Sequence, residues 1–272
     1  MTASTIGAAR AASSQPSSFG RLAGFRALAR KDTKDWIRSR RLWVILAVSV
    51  PFMILSAANG WITNRIAEGM PPGSMDPDKI GSLSPADNFI AGISAQIFVI
   101  ATIFVAGSLL ARERESGTLA WVASKPVTRA SIWLSKWTTT TVMTALVAGI
   151  VPILASAAVV TILYGAPPVG LVVGAAIGVV AAIAFFAAVG LGLSTVLPGQ
   201  AAAIAGAFAV FAVLPMIGGL LPIEEFLPMT MLSWPAMALT GASVSVVTPI
   251  AWLVVTGGII ALAVRRTGRL EL

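Results

Sequence analysis

The sequence predicts an all-α polytopic membrane protein with six transmembrane helices, and three observations lead to this fold class. Of the 272 residues, 57% are hydrophobic and only 11% are charged. Soluble domains carry about 25% charged residues, so this composition suits lipid rather than water. Uncharged stretches recur along the chain, and a helix needs about 20 apolar residues to cross a hydrocarbon core about 30 Å thick. The basic residues are concentrated before the first uncharged stretch, between the second and third, and after the last.

The first 41 residues precede the predicted spans and divide into two parts. Residues 1–20 are rich in Ala and Ser and hold a single charge, which predicts a disordered cytoplasmic tail. In residues 21–41, Leu22, Phe25 and Leu28 recur at helical spacing among basic residues. This pattern predicts an amphipathic interfacial helix on the inner leaflet. A plain basic membrane anchor is the alternative interpretation of the same residues.

The predicted transmembrane permease domain covers residues 42–264. Two spans follow from the 23 uncharged residues between Arg41 and Arg65 and from the 24 between Asp87 and Arg112. A run of 87 uncharged residues then supplies three spans, because turn-forming Gly and Pro residues interrupt it twice. Three prolines in the last uncharged run predict an irregular, partly membrane-dipping segment before the sixth span. The predicted spans are residues 42–62, 89–111, 138–163, 170–196, 201–221 and 247–264.

The distribution of basic residues predicts the orientation of these spans. Residues 1–41, the segment 112–136 and the tail 265–272 together hold 17 of the 19 Lys and Arg residues. Cytoplasmic segments carry such an excess, so we expect both termini and the segment 112–136 in the cytoplasm. We expect the membrane to be a prokaryotic plasma membrane. Topology therefore explains the net charge of +8, and no nucleic-acid partner is predicted.

The chemistry that the chain lacks bears on its source of energy. The predicted spans contain no charged residue and no His, whereas ion-coupled carriers place such groups within the bilayer. The absence of Cys and His excludes thiol catalysis and the usual zinc and haem sites. No Gly-rich phosphate loop ending in Gly-Lys-Ser or Gly-Lys-Thr occurs either. We therefore expect no catalytic site, metal or cofactor in this chain, and a partner that supplies the energy.

The segment between the second and third spans carries the most specific pattern in the sequence. A charged run extends the second span, and Gly117 permits a reversal of the chain. Thr118 is suited to begin a short helix that Pro126 ends, and Thr128 to cap the helix that returns to the membrane. These signals predict a short helix across the cytoplasmic mouth, suited to a groove on a partner protein.

This segment resembles the coupling segment of ABC-2 type transporter permeases, the six-span membrane subunits of type V ABC exporters. The resemblance rests on acidic residues followed by Gly-Thr-Leu, a short apolar helix, a Pro-Val pair and an arginine. It extends over almost the whole chain, because the order of the helices and loops is also similar. The chain departs from the family at Trp121-Val122-Ala123, where a leucine-rich pair is more common. The residues that the resemblance assigns to ATPase coupling are Glu113, Glu115, Gly117, Thr118, Leu119, Trp121, Val122, Pro126 and Arg129.

The resemblance implies partners that act together with this chain. It implies a permease dimer, either a homodimer or a related heterodimer, bound to two separately encoded ATP-binding-cassette ATPase subunits that hold ATP and Mg. Closure of the ATPases would push on the coupling and amphipathic helices and open a translocation path for export. Glu113 and Glu115 would meet basic groups of the ATPase or pair with Arg112, Arg114 or Arg129. The alternative functions are a partner-independent channel or carrier and a non-transporting membrane scaffold.

Three further patterns leave two interpretations open. The predicted outer segments hold six acidic and two basic residues, which suits cation attraction or simply a hydrated loop. Glycines at positions 170, 174 and 178 permit close approach between helices, or reflect the high glycine content. Four late methionines suit copper(I) binding or ordinary packing. These methionines are Met216, Met229, Met231 and Met237.

Overall fold

The computed structural model describes residues 22–71, 83–94, 96–118 and 127–268. Every regular element in these ranges is helical, and six helical segments are long and apolar enough to cross a membrane. The predicted all-α fold with six spans is therefore confirmed. The predicted tail at residues 1–20 lies outside the described residues, as does most of the predicted coupling helix.

Two of the six spans consist of more than one helical piece. Helix α1 (Phe25–Arg38) precedes the first span, which is the single helix α2 (Arg40–Glu68). The remaining elements follow in chain order. The second span consists of α3 (Pro85–Ser94) and α4 (Ile97–Glu115). The third consists of α5 (Arg129–Thr144), a π-helical turn (Ala145–Ile150) and α6 (Val151–Tyr164). The fourth and fifth spans are α7 (Val169–Val196) and α8 (Gln200–Leu220), and the short helix α9 (Trp234–Leu239) precedes the sixth span, α10 (Val247–Gly268).

The second span contains a break that its uncharged run did not indicate. Gln96 lies between α3 and α4 with φ of 49°, in the left-handed region that residues other than glycine rarely adopt. The outer piece, α3, packs against α2 and α6, whereas α4 packs along α7 and α8. The break thus lets one span pack against two different sets of helices.

Helix α7 is the centre of the bundle. Most of its residues are buried, and it packs against α4, α8 and α10. The outer surfaces of other helices carry large exposed apolar side chains, such as Trp43 on α2, Ile162 on α6 and Leu253 on α10. Apolar side chains on the outside of a bundle are expected where lipid replaces water as the solvent.

The proline-containing segment after α8 is irregular, and it packs against α7. It consists of the 3-10 turns Glu224–Phe226 and Pro228–Leu232 followed by α9. A Cβ on Gly174 would overlap the backbone of Ala236, and a Cβ on Gly178 would overlap the carbonyl of Leu232. The close approach permitted by the glycine spacing is therefore made to this irregular segment. The eight residue-to-residue steps from Gly170 to Gly178 correspond to about 12 Å of contact along α7.

Candidate coupling site at the basic end of the bundle

The two ends of the predicted coupling segment lie at the same end of the bundle as α1. This end, which we call the basic end, holds the start of α2, the end of α4, the start of α5 and the end of α10. Alternating spans bring these helix ends to one side. The exposed arginines here are Arg26, Arg30, Arg38, Arg40, Arg112, Arg265 and Arg266.

A buried lysine joins three helices at the basic end. Lys136 of α5 is 6% exposed, and its Nζ lies 2.6 Å from Oε1 of Glu113 on α4. The same Nζ lies 3.9 Å from Oδ1 of Asp32 on α1. Ser135 also donates a hydrogen bond from its Oγ to Oδ2 of Asp32 at 3.4 Å. We call Asp32, Glu113 and Lys136 the lysine cluster. Because a buried charge is costly without a partner, this cluster fixes α1, α4 and α5 relative to one another.

The two acids of the lysine cluster share the positive charge unequally. The pKa of Asp32 is raised, chiefly by burial, although the charges of Lys136 and Lys31 act to lower it. Glu113 makes the shorter contact with Lys136 and adds a smaller upward contribution to the pKa of Asp32 through repulsion. The stronger ion pair therefore joins α4 to α5, while the more weakly held carboxylate belongs to α1.

A polar cavity of about 250 Å³ adjoins the lysine cluster. Its walls include all three residues of the cluster together with Lys31 and Thr139. Polar walls and this volume are suited to several water molecules, each of which needs two to four polar partners. Water in this cavity would hydrate the polar atoms of the lysine cluster that face it.

The charged end of α4 also contacts the connection between α7 and α8. Arg114 donates a hydrogen bond from its guanidinium to the carbonyl oxygen of Leu197 at 2.6 Å. Oε1 of Glu115 accepts a hydrogen bond from the backbone N–H of Gln200 at 3.1 Å. Gln200 is the first residue of α8, where unsatisfied amides and the helix dipole favour a negative charge. The first residues of the coupling segment therefore contact both the third and the fifth span.

The chain that leaves the coupling segment packs directly on the start of α1. The backbone N–H of Thr128 donates to the carbonyl oxygen of Ala23 at 3.3 Å. Gly24 has φ of 82°, and a Cβ at this position would overlap the side chain of Val127. Thr128 Oγ1 accepts a hydrogen bond from the N–H of Ser131 at 3.2 Å, so the predicted cap of this helix is confirmed. One end of the coupling segment is thus connected to α1 through Lys136, and the other contacts the residues immediately before α1.

The structure describes five of the nine residues assigned to coupling. Glu113 and Glu115 occupy the contacts with Lys136 and Gln200 described above. Gly117 has φ of 70°, consistent with the expected reversal, and the Thr118 hydroxyl lies 2.8 Å from that of Ser116. Arg129 is the first residue of α5. The other four residues, Leu119, Trp121, Val122 and Pro126, lie outside the described residues.

Three residues that complete this site were not among the residues that the sequence pattern indicated, namely Asp32, Lys136 and Gln200. Lys136 carried a usable signal, because it stands beside the apolar residues of a predicted span, where a charge needs a partner. Asp32 and Gln200 carried none, since their contacts depend on packing between distant parts of the chain. Here the residues nearest to the membrane, and not only the exposed loop, form the candidate coupling site.

Comparison with known proteins places the chain in a transporter family. The family model described as ABC-2 family transporter protein matches residues 26–254. The match begins in α1 and ends in α10, so it includes the lysine cluster and both ends of the coupling segment. No curated protein matches the chain.

Proposed function

The chain belongs to the ABC-2 transporter family, and from this premise we propose that it is an export permease driven by a separately encoded ATPase through residues 113–129. Membership of this family makes the chain a membrane permease of an ABC transporter, which is a transport component and not itself catalytic. The family also implies association with an ATP-binding-cassette ATPase. The observation that carries the proposal is the connection of one end of the coupling segment to α1 through Lys136 and the contact of the other end with the residues immediately before α1.

The basic end is the cytoplasmic end in this proposal. Exposed arginines at the ends of α1, α4 and α10 support this orientation, because Lys and Arg accumulate on the cytoplasmic side of spans. The membrane is a prokaryotic plasma membrane, and both termini lie in the cytoplasm with the coupling segment. An ATPase in the cytoplasm then meets the protein where α1, α4 and α5 converge.

A push on the coupling segment would reach the spans along two routes. One route leads through Glu113 to Lys136 and so from α4 to α5, and the other through Thr128 and Ala23 to α1. Leaving one member of a buried ion pair without its partner costs about 3–5 kcal/mol, so we expect the helices that this pair joins to move together. Glu115 extends the movement to α8 through the amide of Gln200. The coupling segment therefore acts on spans two, three and five at once.

The complete transporter in this proposal contains two permease chains and two ATPase subunits. ATP and Mg bind to the ATPases, while the translocation path lies between the two permeases. Within the described spans, charged groups lie close to the helix ends, which leaves no intramembrane site for an ion that would drive transport. The ATPase supplies that energy instead.

Affinity purification in mild detergent from native membranes tests the proposed partnership. An ATP-binding-cassette subunit is expected to co-purify with wild type and to be lost or weakened in the variant Glu113→Ala/Gly117→Pro. The matched control, Glu68→Ala/Gly69→Pro, changes the same residue types in the same order at the opposite end of the first span. It should keep the ATPase.

Two results of this purification would contradict the proposal. Recovery of the permease alone in several detergents would favour a partner-independent channel or a scaffold. Equal recovery of the ATPase with wild type and both variants would show that the partner binds elsewhere, and residues 113–129 would then be an ordinary loop.

A further inference from the structure

An open cleft of about 600 Å³ runs between α2 and α4, starting at the basic end. Apolar residues of α2, among them Val44 and Val48, form one wall. The other wall is a stripe of α4 at helical spacing that starts at Ile97 and ends at Ser108. The eleven residue-to-residue steps from Ile97 to Ser108 correspond to about 16 Å of helix, which is half of a hydrocarbon core about 30 Å thick. The cleft therefore has the depth of one lipid leaflet.

The basic end of this cleft carries positive charge. Arg40 and Arg41 line it, none of the acidic residues that the structure describes does, and Arg112 lies close enough for its charge to act on Arg41. Among the described residues, none of these three arginines has a carboxylate oxygen within 4.0 Å, whereas Lys31 and Lys136 both do. Arginines crowded together at the edge of an apolar region repel one another, so a bound anion would stabilise them.

We propose that the cleft between α2 and α4 binds one anionic phospholipid from the adjoining leaflet. The phosphate lies at Arg40 and Arg41, where guanidinium groups match its oxygen atoms, and one acyl chain lies along the α4 stripe. The amide side chain of Gln200 lines the same end and offers further hydrogen bonds to the head group.

A second copy of the chain fits this cleft less well than a lipid does. An isologous dimer contact presents the same surface patch from both copies, so it would add a second set of these arginines to the same face. An anionic lipid instead brings a negative charge to the arginines and covers the apolar wall with an acyl chain. The proposed lipid site does not depend on the proposed coupling to an ATPase.

Native mass spectrometry of the full-length chain tests the lipid site. The protein is taken from nanodiscs of equal parts dioleoyl phosphatidylglycerol and dioleoyl phosphatidylcholine, which differ in charge but not in acyl chains. One phosphatidylglycerol per chain should survive activation that removes phosphatidylcholine. Each arginine near an anionic lipid strengthens binding about fivefold. Arg40→Gln/Arg41→Gln removes two of them and should therefore lower the retention of phosphatidylglycerol about 25-fold.

Two control pairs separate the cleft from a general basic surface. Arg265→Gln/Arg266→Gln removes the same charge from exposed positions at the basic end outside the cleft, and it should leave retention unchanged. Ala101→Phe places a large side chain in the cleft beside its apolar wall and keeps every arginine, and it should abolish retention of the lipid. Ala209→Phe adds the same group to an exposed position on α8 and should have no effect.

Three results would overturn the lipid site. Equal retention of the two lipids by wild type would show that the arginines do not select an anion. Equal losses from the two arginine pairs would show attraction to a diffuse basic surface. A lipid-free dimer that Ala101→Phe dissociates would show that a second copy of the chain occupies the cleft.

Discussion

Replacing Lys136 with Met should destabilise the protein more than the loss of an exposed charge at the basic end does. The change keeps much of the side-chain volume but leaves the carboxylates of Glu113 and Asp32 without their shared cation. Removing one partner of a buried ion pair costs about 3–5 kcal/mol. The side chains of Glu113 and Asp32 are 21% and 14% exposed, so we expect the lower value, about 3 kcal/mol.

The size of this effect should depend on Glu113. The double variant Lys136→Met/Glu113→Gln also removes the carboxylate charge that Lys136→Met leaves unpaired. It should therefore recover about half or more of the stability that Lys136→Met loses. Lys31→Met is the matched control, because Lys31 is 50% exposed and its contacts with acids on α1 are worth less than about 1 kcal/mol.

Thermal unfolding in detergent, followed by tryptophan fluorescence, measures these differences. A loss of stability in Lys136→Met no larger than that in Lys31→Met would refute the view that the lysine cluster holds α1, α4 and α5 together. Additive effects of Lys136→Met and Glu113→Gln would refute the direct coupling between these two side chains.

Three further changes test other parts of the structure by the same unfolding assay. Gly178→Ala should destabilise the protein by about 1–3 kcal/mol because a Cβ would overlap the Leu232 carbonyl. The control Gly257→Ala should not destabilise it, because there is open space around Gly257. Equal effects of the two changes would contradict the tight packing on α7. Glu115→Gln should cost about 0.5 kcal/mol, since a charge leaves the N-terminus of α8, and no change at low salt would contradict that interaction. Burial raises the pKa of Asp32, so ionisation of Asp32 weakens the folded state. The stability of the wild-type protein should therefore fall as pH rises from the ordinary aspartate pKa through the raised value. Asp32→Asn should therefore match wild type in acid and exceed it near neutral pH, and the opposite trend would contradict the direction of this pKa shift.

The sequence indicated the number of spans because charge is excluded from the bilayer along whole helices. Residues such as Arg41, Arg65 and Arg112 bound uncharged runs of the right length, and no tertiary contact is needed to interpret them. Local signals were equally informative, since the Thr128 cap involves a residue only three positions away. The break at Gln96 had no such signal, because neither Gly nor Pro marks it.

The contacts of the candidate site were less accessible from sequence because they join distant residues. Asp32 and Lys136 lie on α1 and α5, and nothing in either local pattern specifies their pairing. The spacing of Gly174 and Gly178 indicated a close approach but not its partner, which is an irregular segment rather than another long helix. Local composition thus determines which helices form, while the volume and charge of particular side chains determine how they pack.

Site-specific cross-linking tests the central claim, the coupling of residues 113–129 to an ATPase, most directly. The chain contains no Cys, so Thr118→Cys introduces a unique thiol next to the reversal at Gly117, and benzophenone maleimide makes it photoreactive. Irradiation of native membrane vesicles should join this position to an ATP-binding-cassette subunit, with a yield that changes when ATP is added. The same label at Glu68→Cys, at the opposite end of the bundle, should capture no ATPase. An ATPase captured from neither position, or equally from both, would contradict the proposed coupling.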